Sequence, residues 1–149
     1  MLDDVRVGIS EKGAISLQDL LNLIRCNPAL KEGGAIVTFT GIVRGYTQTG
    51  QEVEKLEVEA HREEAKKVLT SISAELRSRP GVIDVLLHHF IGEFHVGEEL
   101  VYVLVVGRSR SDAFQALEEA VEQYKKKVPI WKKEYLKDGS SYWISEGSQ

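Results

Sequence analysis

The sequence predicts an α+β fold, in which a mainly antiparallel sheet is covered by helices on one side. Two observations favour this class. Short segments of strand length show either alternating apolar and polar residues or an unbroken apolar run. Two longer segments, 62–78 and 112–127, instead place apolar residues on one helical face. The resulting order, β-α-β-β-α-β-β-α-β-β, is typical of an α+β domain.

The first half of the chain contains a short helix between predicted strands. Ser16 and Asp19 form a capping box at the start of this helix, which ends near Asn27-Pro28. The strands are predicted over 5–9, 35–43 and 53–60. We expect the second and third strands, joined by a polar connection, to be antiparallel neighbours.

The second half contains two strands, a long helix and a terminal hairpin. The strands are predicted over 82–91 and 100–106, and the near-continuous apolar sequence of the second indicates burial on both faces. Ser111 is the predicted N-cap of the long helix. We expect this helix to bury Phe114, Leu117, Ala120, Val121 and Tyr124. The hairpin has predicted strands over 131–137 and 142–144, linked by Asp138-Gly139.

Length and composition indicate one soluble domain, residues 1–149, that acts in the cytoplasm. The longest apolar run, Leu100–Gly107, is too short to span a bilayer, and the N-terminus lacks the features of a signal peptide. A single cysteine, Cys26, cannot form an internal disulfide and is interpreted as a packing residue. The net charge of −4 disfavours binding to nucleic acid.

Positive charge is nevertheless concentrated near the end of the second long helix. Residues 125–137 hold six lysines and one glutamate, and a local basic patch on an acidic protein suits one small anion. Lysines at a helix C-terminus also stabilise its exposed carbonyls, so the first three could have only that role. The residues that follow favour a site, because Pro129 fixes the exit from the helix and Trp131 can form a wall beside Lys132.

Two arginines extend this hypothesis to other parts of the chain. Arg44 follows Gly41, which marks either a strand bulge, the favoured interpretation, or a close approach of a ligand. Arg44 itself could be an ordinary surface residue. Arg110 lies where a buried strand passes into a helix, a position at which ligands often bind.

The sequence contains no recognised metal-binding spacing. Three histidines, His88, His89 and His95, are accompanied by two glutamates in the same region. Neighbouring His88 and His89 are expected on opposite faces of a strand. We interpret the histidines as ordinary polar residues and predict no metal site.

Four separated segments resemble the large, MoaE-type subunit of molybdopterin synthase. They occur in the same order as in that family and read GGAIVTFTGIVR at 33–44, IGE at 91–93, SRSDAF at 109–114 and KKKVPIWKKE at 125–134. The resemblance covers roughly residues 33–145. Any one segment alone would be weak, but the four together are specific.

This resemblance implies a fold, an activity and partners. The implied fold is an α/β hammerhead with a small additional antiparallel sheet. The implied reaction converts cyclic pyranopterin monophosphate into the dithiolene of the molybdenum or tungsten cofactor, with no cofactor in the enzyme itself. A small ubiquitin-like carrier subunit donates the sulfur from a C-terminal Gly-Gly thiocarboxylate. Two large subunits form a homodimer, and a carrier docked at each end makes a 2:2 heterotetramer.

The resemblance also implies the residues of the site. The essential lysines of the family correspond to Lys125 and Lys132, and Lys125, crowded by other cations, is expected to titrate low enough to transfer protons. Arg44, Arg110 and Lys132 are expected to hold the phosphate and the pterin. The complete implied substrate-binding set is Phe39, Ile42, Val43, Arg44, Ser109, Arg110, Lys125, Lys132, Lys133 and Glu134.

The chain departs from the family at one implied site residue. The family usually has His-Arg at the junction between strand and helix, and this chain has Ser109-Arg110. A serine can donate a hydrogen bond but cannot serve as an acid or base near neutral pH, so we expect Ser109 only to bind. Two other hypotheses keep the fold without the chemistry. One is a non-catalytic module that binds a phosphorylated metabolite, and the other is a scaffold that binds only the ubiquitin-like protein.

Overall fold

The computed structural model describes residues 5–144 and confirms the α+β class. Within this range three α-helices and a 3₁₀ helix accompany a sheet of seven strands. The strands are β1 (Val7–Glu11), β2 (Ala35–Ile42), β3 (Val53–Ala60), β4 (Val82–His95), β5 (Glu99–Gly107), β6 (Ile130–Leu136) and β7 (Ser141–Ile144). The helices are α1 (Leu17–Arg25), α2 (Arg62–Arg77) and α3 (Arg110–Lys127), with the 3₁₀ helix at Pro28–Glu32.

The sheet has the order β2-β5-β4-β3-β6-β7, and β1 adds to β4 as its one parallel partner among these strands. Strand β4 is 14 residues long and therefore serves two regions. Its first part pairs with β5, and its end pairs with β3 from Gly92 to His95. The small additional antiparallel sheet, β3-β6-β7, and the terminal hairpin are confirmed.

The predicted pairing of β2 with β3 is wrong. Strand β2 pairs with β5, and β3 lies between β4 and β6. The physical reason is the burial of β5, of which every residue from Leu100 to Gly107 is buried. A strand buried on both faces needs a neighbour on each edge, and β2 provides one of them.

The two long helices pack side by side against the central sheet, α2 on β1 and β4, and α3 on β5 and β2. A Cβ on Gly107 would lie 2.7 Å from the backbone N of Ala113, so α3 contacts this face closely. The neighbouring Val106 points to the other face of β5. A Cβ on Gly33 would lie 2.8 Å from the Cγ1 of Val106 on that face. Helical structure therefore covers both faces of β5, and the predicted one-sided arrangement holds only for the long helices.

Three local predictions are also wrong. The N-cap of α3 is Ser109 rather than Ser111, because the Ser109 Oγ accepts a hydrogen bond from the Asp112 N–H at 3.2 Å. Phe114 is 57% exposed, since it lies beside the buried row of α3. That row consists of Ala113, Ala116, Ala120 and Tyr124. Cys26, interpreted as a packing residue, is exposed at the C-cap of α1.

Candidate active site

A cavity of about 340 Å³ lies where the end of β2 meets the β6-β7 hairpin. Ile42, Val43 and Arg44, three of the predicted site residues, line it. The register shifts between Gly41 and Ile42, so the predicted bulge is confirmed. Glycine is needed there because a Cβ on Gly41 would lie 2.7 Å from Val101 Cγ1. The bulge leaves Ile42 exposed, buries Val43 and brings Arg44 to the cavity.

Lys132 lies beside this cavity on β6. Its backbone is opposite Ile144, which lines the cavity, and Glu134, two residues further along the same strand face, lines it as well. Burial lowers the pKa of Lys132 to about 8, and the positive charges of Lys125 and Arg44 lower it in the same direction. Three of the predicted cations are thus close enough to interact. The sequence assigned the low pKa to Lys125, whereas burial produces it at Lys132.

Glu134 holds a tyrosine that the sequence prediction missed. Glu134 and Tyr142 are opposite each other in the β6-β7 hairpin, and the Tyr142 hydroxyl donates a hydrogen bond to the Glu134 carboxylate. This bond raises the pKa of Tyr142 to about 12, so the hydroxyl remains protonated at neutral pH. The sequence predicts the hairpin but not its register, and the register observed in the structure places the two residues across from each other.

The connection between β2 and β3 forms another wall of the cavity. Its residues Tyr46, Thr47, Gln48 and Thr49 line the space, a role that the polar sequence of this connection does not reveal. The segment is a hydrogen-bonded turn, in which the Thr47 N–H donates to the Gln51 carbonyl at 2.9 Å. Tyr46 is 62% exposed at the rim, where its ring can contact a ligand.

Two residues near Lys132 lie on the opposite face of β6. The ammonium of Lys133 is 5.2 Å from the ring centre of Tyr135 and 5.6 Å from that of Trp143. Trp131 donates from Nε1 to Glu59 at 3.1 Å and is 41% exposed. Alternate residues of a strand point to opposite faces, so Trp131 does not form the predicted wall beside Lys132. The same alternation directs Lys133 away from Arg44 and Lys132.

The remaining predicted residues are distributed along β2 and α3. Phe39 is half-buried, and a Cβ on Gly41 would lie 3.5 Å from its ring. Ser109 and Arg110 are exposed at the start of α3. Fifteen residues separate Arg110 from Lys125 on this helix, which corresponds to about 22 Å at 1.5 Å per residue. One chain therefore does not bring Arg110 to the cluster of Arg44, Lys125 and Lys132.

Two of the three histidines predicted to be ordinary polar residues, His88 and His89, are buried on β4, whereas His95 is exposed at its end. His89 is 1% exposed, and its Nδ1 lies 2.8 Å from the Phe90 carbonyl oxygen. Burial, followed by the charge of Lys132, lowers its pKa to about 3, so the ring is neutral at physiological pH. The ring packs edge-on against Tyr124, with centroids 5.8 Å apart. His88 is buried too, with its Nε2 2.8 Å from the Val5 carbonyl oxygen.

Two kinds of feature are absent between residues 5 and 144. No helix there has both the length and the apolar character required to cross a bilayer. No group of three or more His, Cys, Asp or Glu side chains in the same range is arranged to hold a metal ion.

Comparison with known proteins identifies the family. A sequence profile described as MoaE protein matches residues 10–127. The molybdopterin synthase catalytic subunit of Nostoc sp. is 42% identical over 116 residues, which cover 77% of this chain and 70% of that protein. The crystal structure of molybdopterin synthase from Staphylococcus aureus has a TM-score of 0.81 and 34% identity, covering 95% of this chain and 98% of that one.

A further structural likeness concerns the fold. A protein–protein complex of subunits 1 and 2 of molybdopterin-converting factor from Helicobacter pylori matches with a TM-score of 0.74 and 22% identity. The match covers 97% of this chain and 93% of that chain. With the profile match and the relatives above, the resemblance found in the sequence is confirmed: this chain belongs to the MoaE family.

Proposed function

We propose that this chain is the catalytic subunit of a molybdopterin synthase. It transfers sulfur from the C-terminal thiocarboxylate of a small carrier to cyclic pyranopterin monophosphate, which yields the dithiolene of molybdopterin. One observation carries the proposal: Lys132, largely buried beside the cavity, interacts with Lys125 and Arg44 and has a pKa of about 8. Such a group can bind a phosphate when charged and can exchange a proton near neutral pH.

The cluster fits the charges that this reaction produces. The thiocarboxylate sulfur attacks a side-chain carbon of the pterin, and a phosphate oxygen leaves with a negative charge that must be neutralised or protonated. Arg44 and Lys132 hold the phosphate, and the two lysines, Lys125 and Lys132, supply or remove the proton. Each attack leaves the carrier joined to the pterin through a thioester, which water hydrolyses to release the carrier as a carboxylate and leave the sulfur on the substrate. Two such transfers, with opening of the cyclic phosphate, complete the dithiolene. Phe39, Ile42 and Val43 offer apolar contacts along the path from β2 to the cavity.

The burial of Lys132 favours catalysis over a module that only binds a phosphorylated metabolite. Removing an ammonium from water is unfavourable, and the depressed pKa is the measure of that cost. A site selected only for affinity gains more from a cation that stays fully charged. A lysine that titrates near physiological pH is instead characteristic of proton transfer.

The partners follow from the same reaction. The carrier is a small ubiquitin-like protein ending in Gly-Gly, because an extended tail without side chains can enter a cavity of about 340 Å³. The Helicobacter pylori structure, named as a complex of two subunits, supports a small partner. A homodimer in a 2:2 assembly accounts for the distance along α3, since a second copy can supply Ser109 and Arg110 to the cluster of the first.

The organisation of the chain and its place in the cell belong to the same proposal. Apolar side chains from the central sheet, the small sheet and all three helices join one core, so residues 1–149 are proposed to act as a single domain. The cytoplasm is the proposed location, because a thiocarboxylate donor requires a reducing compartment.

A reconstituted reaction tests this function. The purified chain is incubated with the pterin precursor and a carrier bearing the thiocarboxylate, and the dithiolene product is quantified. The control is the same carrier with an ordinary carboxylate, and a second control replaces the carrier with sulfide. We expect product only with the thiocarboxylated carrier. Equal turnover with sulfide, or precursor binding without any product, would reject the synthase function, and the second result would favour the binding module.

A further inference from the structure

We propose that Tyr142 is a positioning residue of the site, whose hydroxyl holds the carboxylate of Glu134 on the β7 side of the cavity and keeps it from pairing with the nearby cations. The cations are Arg44, Lys125 and Lys132, which form one cationic cluster. This role deepens the proposed function and rests on it for the identity of the anion, which is the phosphate of the precursor.

Glu134 lies where an ion pair would be expected. It lines the cavity, as Arg44 does, and it is two residues from Lys132 on the same face of β6. That spacing is about 6.6 Å at 3.3 Å per residue, a distance that glutamate and lysine side chains can span. Among residues 5–144, Glu134 is also the one acidic residue that lines the cavity. A negative charge so close to several positive ones would normally pair with one of them.

The carboxylate of Glu134 has a different partner in the structure. Between residues 5 and 144 it forms no ion pair, and it accepts a hydrogen bond from the Tyr142 hydroxyl. The positive charges of Lys125 and Arg44 both lower the pKa of Lys132. A hydrogen bond from a hydroxyl to a carboxylate is charge-assisted, and it is stronger than a bond between two neutral groups. Tyr142 thus satisfies the carboxylate without neutralising the cationic cluster.

The turn between β6 and β7 places Tyr142 in this position. The Leu136 N–H donates to the Ser140 carbonyl at 2.8 Å, and the Ser140 N–H donates to the Asp138 carboxylate at 2.8 Å. These bonds support the register of the hairpin, in which Glu134 and Tyr142 are directly opposite. A slip of one residue would turn the tyrosine to the other face of the small sheet.

Removal of the hydroxyl has a definite electrostatic consequence. The bond to Glu134 raises the pKa of Tyr142 to about 12, so the proton stays on the hydroxyl at physiological pH. A phenylalanine at this position would keep the ring and leave the carboxylate free to turn towards Lys132. An opposite charge favours the ammonium form, so the pKa of Lys132 would rise. The carboxylate would also compete with the phosphate for the cationic cluster.

The charged and titratable side chains around Lys132 come from several parts of the fold. They are His89 on β4, Lys125 on α3, Arg44 after β2 and, on the same face of β6, Glu134. Glu57 and Glu59, on the neighbouring β3, lie on the opposite face of the sheet. His89 is neutral at physiological pH, so Glu134 is the one negative charge in this set.

The first test measures the pKa of Lys132 in the chain alone by carbon-13 NMR of the lysine side chains. The signal of Lys132 is identified by its loss in Lys132→Arg. We expect a pKa of about 8 in the wild type and of about 9 in Tyr142→Phe, because the freed carboxylate favours the charged form. Adding Glu134→Gln to Tyr142→Phe should return the pKa to about 8, since the amide carries no charge.

The matched control for this titration is Tyr135→Phe. It removes a hydroxyl that donates to Glu57 at 3.3 Å on the other face of β6, and it should leave the pKa of Lys132 unchanged. An unchanged pKa in Tyr142→Phe would overturn the positioning role. A rise that persists after Glu134→Gln is added would overturn it too, because the carboxylate would then not be its cause.

The second test measures binding of the pterin precursor by titration calorimetry at pH 7. Tyr142→Phe should raise the precursor Kd by about five- to tenfold in the wild-type background and by less than about twofold in a Glu134→Gln background. An equal rise in both backgrounds would show that the hydroxyl contacts the precursor directly, and it would contradict the positioning role, as would no rise in either. The first test needs no precursor, so failure of the proposed function would be seen separately.

Discussion

The two ends of α3 place positive charge in opposite environments. At its end, Lys125 interacts with a buried Lys132 beside a cavity. At its start, Ser109 caps the helix and Arg110 is exposed, about 22 Å away along the helix axis. The family resemblance assigns both ends to one site. The comparison shows that residues implied together by a motif set can lie in separate groups within one folded chain, which the proposed homodimer would bring together.

The largest expected effect distinguishes the role of Lys125, at the end of α3, from that of Lys132 on β6. Lys125→Ala should lower turnover by about 10²–10⁴-fold, the usual contribution of a positioned acid or base, while the precursor still binds through Arg44 and Lys132. Lys126→Ala is the matched control, since its side chain is exposed and should affect neither quantity. Turnover and isothermal titration calorimetry measure the two effects. Wild-type turnover in Lys125→Ala would remove this lysine from the mechanism.

We also expect Lys132, the lysine beside the cavity, to cause a pH dependence of precursor binding. The pKa of Lys132 is lowered to about 8, so the side chain is charged below pH 8 and neutral above it. A phosphate binds the charged form, and the precursor Kd should therefore rise by about tenfold between pH 7 and pH 9.

The control for this pH dependence is Lys132→Arg, which stays charged over the whole range. Its precursor Kd, measured by titration calorimetry at the same two pH values, should change much less than that of the wild type. If the wild-type Kd is constant between pH 7 and pH 9, Lys132 does not titrate in contact with the phosphate.

The smallest expected effect concerns the start of α3, where Ser109 has a structural role. Its Oγ accepts from the Asp112 N–H and donates to the Asp112 carboxylate at 3.0 Å. Ser109→Ala should lower the free energy of unfolding by about 0.5–2 kcal/mol, the usual cost of losing an N-cap. Ser111→Ala should change it by less than about 0.5 kcal/mol. Urea denaturation compares the two variants, and the reverse order would restore Ser111 as the cap.

The sequence was sufficient to predict the elements of the fold, because hydrophobic periodicity records which residues face the core. It could not determine strand pairing, since the partner of β2 depends on how deeply β5 is buried and not on which strand follows next. Phe114 shows the same limit within a helix. It is as apolar as its buried neighbours, and only the packing of α3 over β5 determines that Ala113 faces the sheet instead.

The candidate site was predictable where motifs carry the residues. Arg44, Lys125 and Lys132 lie together, as the resemblance implied. The strand predicted over 131–137 already implies, by strand alternation, that Trp131 and Lys133 lie on the face opposite Lys132, as the structure shows. The low pKa of Lys132 depends on burial, and Tyr142 reaches the cavity through a hairpin register. Burial and register are properties of the folded chain, and composition does not record them.

Mixed dimers test most directly whether the two ends of α3 meet in one active site. Arg44→Ala and Arg110→Ala chains are each assayed alone and then after coexpression in equal amounts, with thiocarboxylated carrier and precursor. If each site uses Arg44 of one chain and Arg110 of the other, a mixed dimer keeps one intact site, and random pairing restores about a quarter of wild-type turnover. Turnover that stays at the level of the separate variants would show that each site is built within one chain.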